Sequence, residues 1–371
     1  MRDETRVSSP VFVVGTPRSG TTLVGNIFGN HPHIFVPRAE THYFQDIYAR
    51  RSEIGDLTSV VALNKALERL LTLYGRFNYR QAQEQISRPG FRDDLVARFT
   101  KTGKTYGELL DCFMTLQAEA LGKLRWGDNT PQDIFNVVDI CRFFPDCRII
   151  VCVRDVRDFL ISYKYQWRMS RTENVDRVKS LYHPVVTALL WRANIEQIRQ
   201  VERVAPAGQW MLVRYEDLVQ QPEEEVRKIC SLIGEEFHPA MLLVGSSNSS
   251  FEARKAGIFT GSVGRWKQDH NIAPEEIYVA ELITKPQMQR LGYHLSGTKA
   301  DWFRIVALFC SLPFAAVRAV YKNKERINKG KVRILLPYLL RKILPILHNR
   351  SFQYKLGQKV SQRVNEERIA P

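Results

Sequence analysis

The sequence predicts an α/β fold, a parallel sheet covered by helices on both faces, followed by a basic, mainly helical C-terminal extension. Three observations predict it. Short apolar runs at 11–14, 148–153 and 210–213 alternate with stretches of helical spacing, the pattern of strands buried on both faces. The first run ends in a glycine-bearing turn that leads directly into helical periodicity. The charge is lopsided: residues 296–371 hold 16 Lys and Arg against 4 Asp and Glu, so +12 of the chain's +15 lies there.

Residues 11–14 (VFVV) end at Gly15 and read as a buried strand, and 21–28 follow with Leu23, Ile27 and Phe28 at helical spacing. Residues 57–121 read as mostly helical, with a turn at Pro89-Gly90. The run 148–153 (RIIVCV) is the second strand and leads into a helix carrying Phe159 and Leu160. Residues 210–213 form the third, and 222–233 a helix that Pro222 opens and Gly234 ends. This organisation divides the chain into a domain over 1–295 and an extension over 296–371.

With 44% apolar and 25% charged residues, and no repeat or low-complexity tract, the 371 residues describe a globular protein. The six cysteines form no C-x-x-C pair, which argues against a zinc site or a disulfide framework and suits a reducing compartment. No metal is expected. MRDETRVSSP offers no apolar stretch for a signal peptide, so a cytoplasmic location is expected. The sequons at Asn248 and Asn349 then carry little weight.

Gly15-x-x-x-x-Gly20 has the glycine spacing of a P-loop, but Thr21-Thr22 stands where an ATP-using protein has Lys-Ser or Lys-Thr. Arg18 is the loop's one cation. A phosphate-cradling loop without the lysine that reaches β- and γ-phosphates suits a donor lacking a γ-phosphate. Arg154, at the end of the second strand, and Ser162, eight residues on, can converge on another phosphate.

At these residues the chain resembles the sulfotransferases that use 3′-phosphoadenosine-5′-phosphosulfate (PAPS) and release 3′-phosphoadenosine 5′-phosphate (PAP), with a P-loop-like fold. GTPRSGTT is similar to their 5′-phosphosulfate loop in the form found in protein-tyrosine and many bacterial members. Residues 148–162 resemble the 3′-phosphate element. The resemblance implies that Arg18 serves the bridging oxygen and sulfuryl group. It puts the backbone N–H groups of Ser19, Gly20, Thr21 and Thr22 on the 5′-phosphate, and Arg154 and Ser162 on the 3′-phosphate. Tyr215, in the scaffold element Arg214-Tyr215-Glu216-Asp217-Leu218 with Pro222, joins the nucleotide-binding set. So do Gly264, Arg265 and Trp266 of a late glycine-containing loop at 261–267. Ser262 of that loop is a candidate for contact with the donor. The similarity runs from about Val11 to Lys267.

Sulfuryl transfer needs a base for the acceptor hydroxyl and positive charge at the sulfuryl oxygens. Glu40, in Glu-Thr-His followed by Tyr43-Phe44, resembles the base of glycosaminoglycan-modifying and tyrosine-sulfating members, and His42 is the alternative. His31, before Pro32, reads as a turn cap. Residues 125–131 resemble a segment that usually reads Lys-Thr-Pro or Lys-Asp-Pro, where the lysine assists at the sulfuryl group. Asn129 stands in its place, an amide that donates a hydrogen bond without charge.

The expected acceptor is a hydroxyl on a carbohydrate or glycolipid. Protein tyrosine or another small hydroxyl is the alternative, and Trp167 and Trp191 are candidates for stacking on a sugar. A non-catalytic nucleotide- or membrane-binding protein that retained the fold also fits Asn129, whereas a phosphotransferase is opposed by the missing lysine. In the extension, 303–321 matches a membrane span in length but contains Arg304, Pro313 and Arg318, and 332–347 is apolar with Arg341 and Lys342 interposed. Peripheral contact with an anionic membrane through 303–347, on its inner face, is expected from that pattern, with core-packing helices that carry a solvated basic face, or a groove for an anionic acceptor, as the alternatives. No nucleic-acid motif accompanies the charge.

Overall fold

The computed structural model describes residues 9–38, 40–76, 86–245, 256–268 and 272–323. Its sheet has five strands, β1 (Val11–Gly15), β2 (Ile34–Phe35), β3 (Arg125–Asp128), β4 (Arg148–Val153) and β5 (Trp210–Arg214). All pair in parallel, in the order β2-β3-β1-β4-β5. The central β1 runs beside β4 from Val11 opposite Arg148 to Gly15 opposite Cys152, so the strands end together at the loops that carry charge.

The longer helices are α1 (Thr21–Gly29), α2 (Val60–Arg76), α3 (Phe91–Thr102), α4 (Tyr106–Ala120), α5 (Val156–Lys164), α6 (Pro184–Glu196), α7 (Pro222–Ile233), α8 (Pro274–Arg290) and α9 (Trp302–Lys322). Their ends follow local chemistry. Thr105 and Glu108 form a reciprocal capping box at α4. In α7, Pro222 occupies the first turn with Glu223, Glu224 and Glu225, and Gly234 closes the helix at φ 73°. Asp155 caps α5 through the N–H of Arg157.

The described residues fall into two compact units, one within 1–169 and 194–271, the other within 170–193 and 272–371. In the first, side chains alternate along β1. Val11 and Val13 pack with Val24, Ile27 and Phe28 of α1 and with Val226 and Ile229 of α7. Phe12 meets Trp126 and Phe144 edge-on and tilted, each at 5.6 Å. A wholly apolar run is what a strand covered on both faces requires. Replacing Phe12 with Ala is expected to cost about 3–5 kcal/mol.

Two strands escape sequence reading. β2 is only two residues long, and β3 reads Arg-Trp-Gly-Asp, which has no apolar signature. Its Arg125 is nevertheless buried, because its guanidinium donates to Ser9 O and Ile233 O and lies 3.4 Å from Glu235.

The second unit gathers α6 up to Ala193, α8 and α9. Val185, Val279 and Ile305 form its small core. Polar contacts accompany it: His183 Nε2 lies 3.0 Å from Ser311 Oγ, and Tyr182 donates to Glu276 at 2.9 Å. Trp191 is wholly buried, which makes it a core residue rather than a sugar platform. Residues 272–295 thus group with α9, whereas the limits 1–295 and 296–371 follow charge rather than packing. The segment 332–347 and the sequons Asn248 and Asn349 lie outside the described residues.

Candidate active site

The loop between β1 and α1 is shaped by its backbone. Gly20 precedes α1 at φ 93°, and a Cβ there would come within 2.7 Å of the Tyr215 ring, so no other residue fits. Arg18 also has positive φ (68°), a conformation that costs a non-glycine residue about 1 kcal/mol. The start of α1 has neither a side-chain cap nor an acidic residue in its first turn. Thr16 Oγ1 and Ser19 Oγ are buried with no hydrogen-bond partner among the described residues. Uncapped N–H groups and idle hydroxyls around one loop are what a bound anion would satisfy.

A second cation faces the loop from the end of β4. Arg154 is buried, lies over the Tyr215 ring at 4.4 Å, and donates to Arg18 O at 3.3 Å and Ser262 O at 2.6 Å. Ser162, two turns along α5, accepts from Arg18 Nε at 3.0 Å. Arg18 and Ser162, expected at different phosphates, are thus direct partners. Burial lowers the pKa of Arg18, and the neighbouring Arg154 adds to it. Two guanidinium groups held this close favour an anion between or beside them.

The late loop is fastened from α5. Asp158 accepts from the backbone N–H of Gly264 at 2.7 Å and of Trp266 at 3.0 Å, and burial pushes its carboxyl pKa up. Arg157 stacks on the Trp266 ring at 3.8 Å while Asp155 holds its guanidinium. Arg265 turns back on its own loop and donates to Gly261 O at 3.1 and 2.8 Å. Ser262 Oγ lies 2.7 Å from Tyr215 OH. Asp158 was not singled out from the sequence; it lies one turn before Ser162 on the same face of α5.

Glu40 is positioned by its neighbour Thr41. The Thr41 N–H donates to Thr130 Oγ1 at 3.0 Å, its hydroxyl donates to Asp128, and Thr130 donates to Asp128 at 2.8 Å. This pins the segment to the end of β3. Burial pushes the Glu40 carboxyl up to about 7, nearby Asp128 adds to the rise, and Arg18 opposes it. His42 Nε2 lies 3.2 Å from Glu40 Oε2, and burial lowers the pKa of His42.

One cleft, open to solvent, is lined by Arg18, Gly20, Thr21, Thr22, Glu40, Arg154, Ser162, Tyr215, Ser262 and Arg265. Ser19, His42, Gly264 and Trp266 are not on its wall. Neither is Asn129, which is buried against α1: a Cβ on Gly25 would sit 2.5 Å from its Nδ2. Elsewhere, His31 Nδ1 accepts from the His33 N–H at 3.1 Å, a turn cap. His31, His33 and Glu235 bring ligand-type atoms within 4.8 Å of one another, but Arg125 lies beside that carboxylate and Lys123 donates to His31 O.

A five-stranded parallel sheet whose phosphate-type loop, second cationic element and half-buried carboxylate meet at one cleft has the architecture of an α/β protein built to bind a phosphorylated ligand. The family model described as "Sulfotransferase family" matches residues 10–239, and the chain belongs to that family. A Caenorhabditis briggsae protein named "Putative protein-tyrosine sulfotransferase" is 24% identical over 304 residues, 79% of this chain and 91% of the relative. Among solved structures, the sulfotransferase domain of the Synechococcus PCC 7002 olefin synthase superposes with a TM-score of 0.51 at 20% identity, covering 79% of this chain and 98% of that one. The sulfotransferase domain of the curacin biosynthetic pathway gives a TM-score of 0.51 at 16% identity, covering 78% and 99%. These likenesses establish the fold.

Proposed function

We propose that this sulfotransferase moves the sulfuryl group of PAPS to an acceptor hydroxyl by in-line displacement, with Glu40 as the base. The observation that carries the reading is that the Glu40 carboxylate lines the same cleft as Arg18, Arg154 and the β1–α1 loop, with its pKa raised to about 7. A carboxylate with that pKa is ionised in part at neutral pH yet basic enough to take a proton. The acceptor proton passes to Glu40 as the acceptor oxygen–sulfur bond forms. The bond from sulfur to the bridging oxygen breaks, and its electron pair leaves on the 5′-phosphate of PAP.

The residues suit that donor. Thr16 and Ser19 offer buried hydroxyls, α1 offers uncapped N–H groups, and Arg18 supplies charge for the bridging oxygen. Arg154 and Ser162 are assigned to the 3′-phosphate, with Tyr215, Gly264, Arg265 and Trp266 forming the wall and loop around the nucleotide. Asn129, uncharged and off the cleft wall, leaves the cationic work to Arg18.

The acceptor is proposed to be a carbohydrate or glycolipid hydroxyl, on the similarity of the Glu40 segment to glycosaminoglycan-modifying members. The name of the Caenorhabditis relative favours a second reading, a tyrosine hydroxyl. Labelled PAPS offered to carbohydrate, glycolipid and tyrosine-peptide acceptors separates the two. Binding of PAP with no transfer to any acceptor would favour the non-catalytic reading instead. Against the best acceptor, Glu40→Gln is expected to lower kcat about 10²–10⁴-fold while PAP affinity by calorimetry stays the same. Full activity in that variant overturns the assignment and makes His42 the next residue to replace.

A further inference from the structure

The second unit carries an inverted surface. Along α9, the residues turned inward are Ile305, Leu308, Ser311, Leu312, Ala315 and Ala319, at the spacing of one helical stripe. Of these, Ile305, Leu308 and Leu312 pack with Val185 and Val279. The outward side is the more apolar one. Phe303 is 84% exposed, Phe314 77%, Val317 70% and Trp302 67%. Val306, Phe309, Val320 and Tyr321 are exposed on the same helix. At 100° per residue, Val306, Phe309, Cys310, Pro313, Phe314 and Val317 share one continuous face, opposite the packed stripe.

We infer that this face of α9 docks the protein on an anionic lipid bilayer, with the helix lying in the interface plane. Length and composition alone would allow a span, since α9 has 21 residues and includes an 18-residue stretch of mean hydropathy 1.7. Its contacts argue otherwise. A span needs about 20 uninterrupted apolar residues. Here Arg304 and Arg318 bracket a shorter stretch, and Ser311, midway between them, is tied to His183. Near the ends, Arg304 lies 3.7 Å from Glu275 and Lys322 3.8 Å from Asp176, which keeps the inner side of the helix on polar partners.

Charge selects the partner. Arg318 lies between the apolar face and the packed stripe, and residues 296–371, to which α9 belongs, carry 16 basic against 4 acidic residues. An aromatic face bordered by Arg318 in a strongly basic segment, with Trp302 and Tyr321 at the two ends, is the arrangement that settles at the headgroup level of anionic lipid. A soluble acidic protein would complement the charge but not a face of this apolarity. The expected cytoplasmic location makes the inner leaflet the proposed surface.

The test uses the full chain with phosphatidylcholine vesicles, with and without about a third phosphatidylglycerol. Sedimentation should carry the protein down with the anionic vesicles, and Phe314→Glu with Val317→Glu should weaken that partition by at least about tenfold. Cys310 is the exposed cysteine of the six, so a polarity-sensitive maleimide dye attached there should shift to the blue when anionic vesicles are added. Equal partition of the double variant and the native chain overturns the proposal, as does an unshifted dye. A Cys310 that reacts no faster than the buried cysteines means that the face is already covered by protein, and the proposal fails. A dimer in sedimentation velocity that the double variant disperses, without vesicle binding, assigns the face to a second copy instead.

Discussion

The cleft around Arg18 and the outer face of α9 break the ordinary rule of burial in opposite directions. In the cleft, charged and polar groups are inside: Arg154, Asp158 and Ser162 are each less than a tenth exposed. On α9, large apolar side chains are outside. The cleft's groups bear their burial because partners surround them, with Asp158 accepting two backbone N–H groups and Arg154 donating to two carbonyls. On the helix face, Phe303, Phe314 and Val317 are instead each more than two-thirds exposed. Both departures cost stability, and both mark a surface shaped for something other than folding.

Substitutions can sharpen that contrast. Arg154→Ala should have the largest effect on donor affinity, on the order of a hundredfold for PAP, because it removes a buried cation together with its hydrogen bonds to Ser262 O and Arg18 O. Calorimetry with PAP measures it, and unchanged affinity would place the 3′-phosphate elsewhere.

Next comes pH. Below about 7 Glu40 holds its proton, so kcat should fall about tenfold for each pH unit under that value and level off above it. That limb should vanish in Glu40→Gln. The same shift has a sign for stability: the folded state binds this proton more tightly than the unfolded chain. The contribution of Glu40 therefore declines as pH rises from about 4.5 to about 7. Asp158→Asn should act more mildly, about tenfold on PAP affinity with little change in kcat, since a single amide oxygen takes the place of two carboxylate oxygens that hold Gly264 and Trp266. The smallest effect is expected from Phe314→Glu with Val317→Glu on folding: in the absence of lipid, the unfolding midpoint should move by no more than about 2 °C. A large drop would mean that the face is packed against protein, which would end the contrast.

The legible parts of the sequence were those in which one residue type serves one local purpose. Pro222 and Gly234 bound α7 as predicted, and the run at 148–153 is β4 residue for residue. β3 was illegible because its buried Arg125 is satisfied by Ser9 O and Ile233 O, partners far away in the chain. In the candidate site, Arg18, Glu40, Arg154 and Ser162 were named from motif and spacing, and the structure gathers them on one cleft. Asp158 and the Thr41–Asp128–Thr130 network were not, since a carboxylate on a helix or after a strand reads as solvated until its neighbours are known.

Sequence by itself determined the strand-loop-helix at Gly15–Gly20, the cationic strand end at Arg154 and the charge imbalance of the C-terminal segment, because each depends on residues close together in the chain. Only the tertiary structure decided that Arg18 and Ser162 are partners, that Asn129 turns toward α1, and which side of α9 faces out. Those outcomes depend on packing between segments distant in sequence, where sterics and desolvation, not local preference, choose the neighbour.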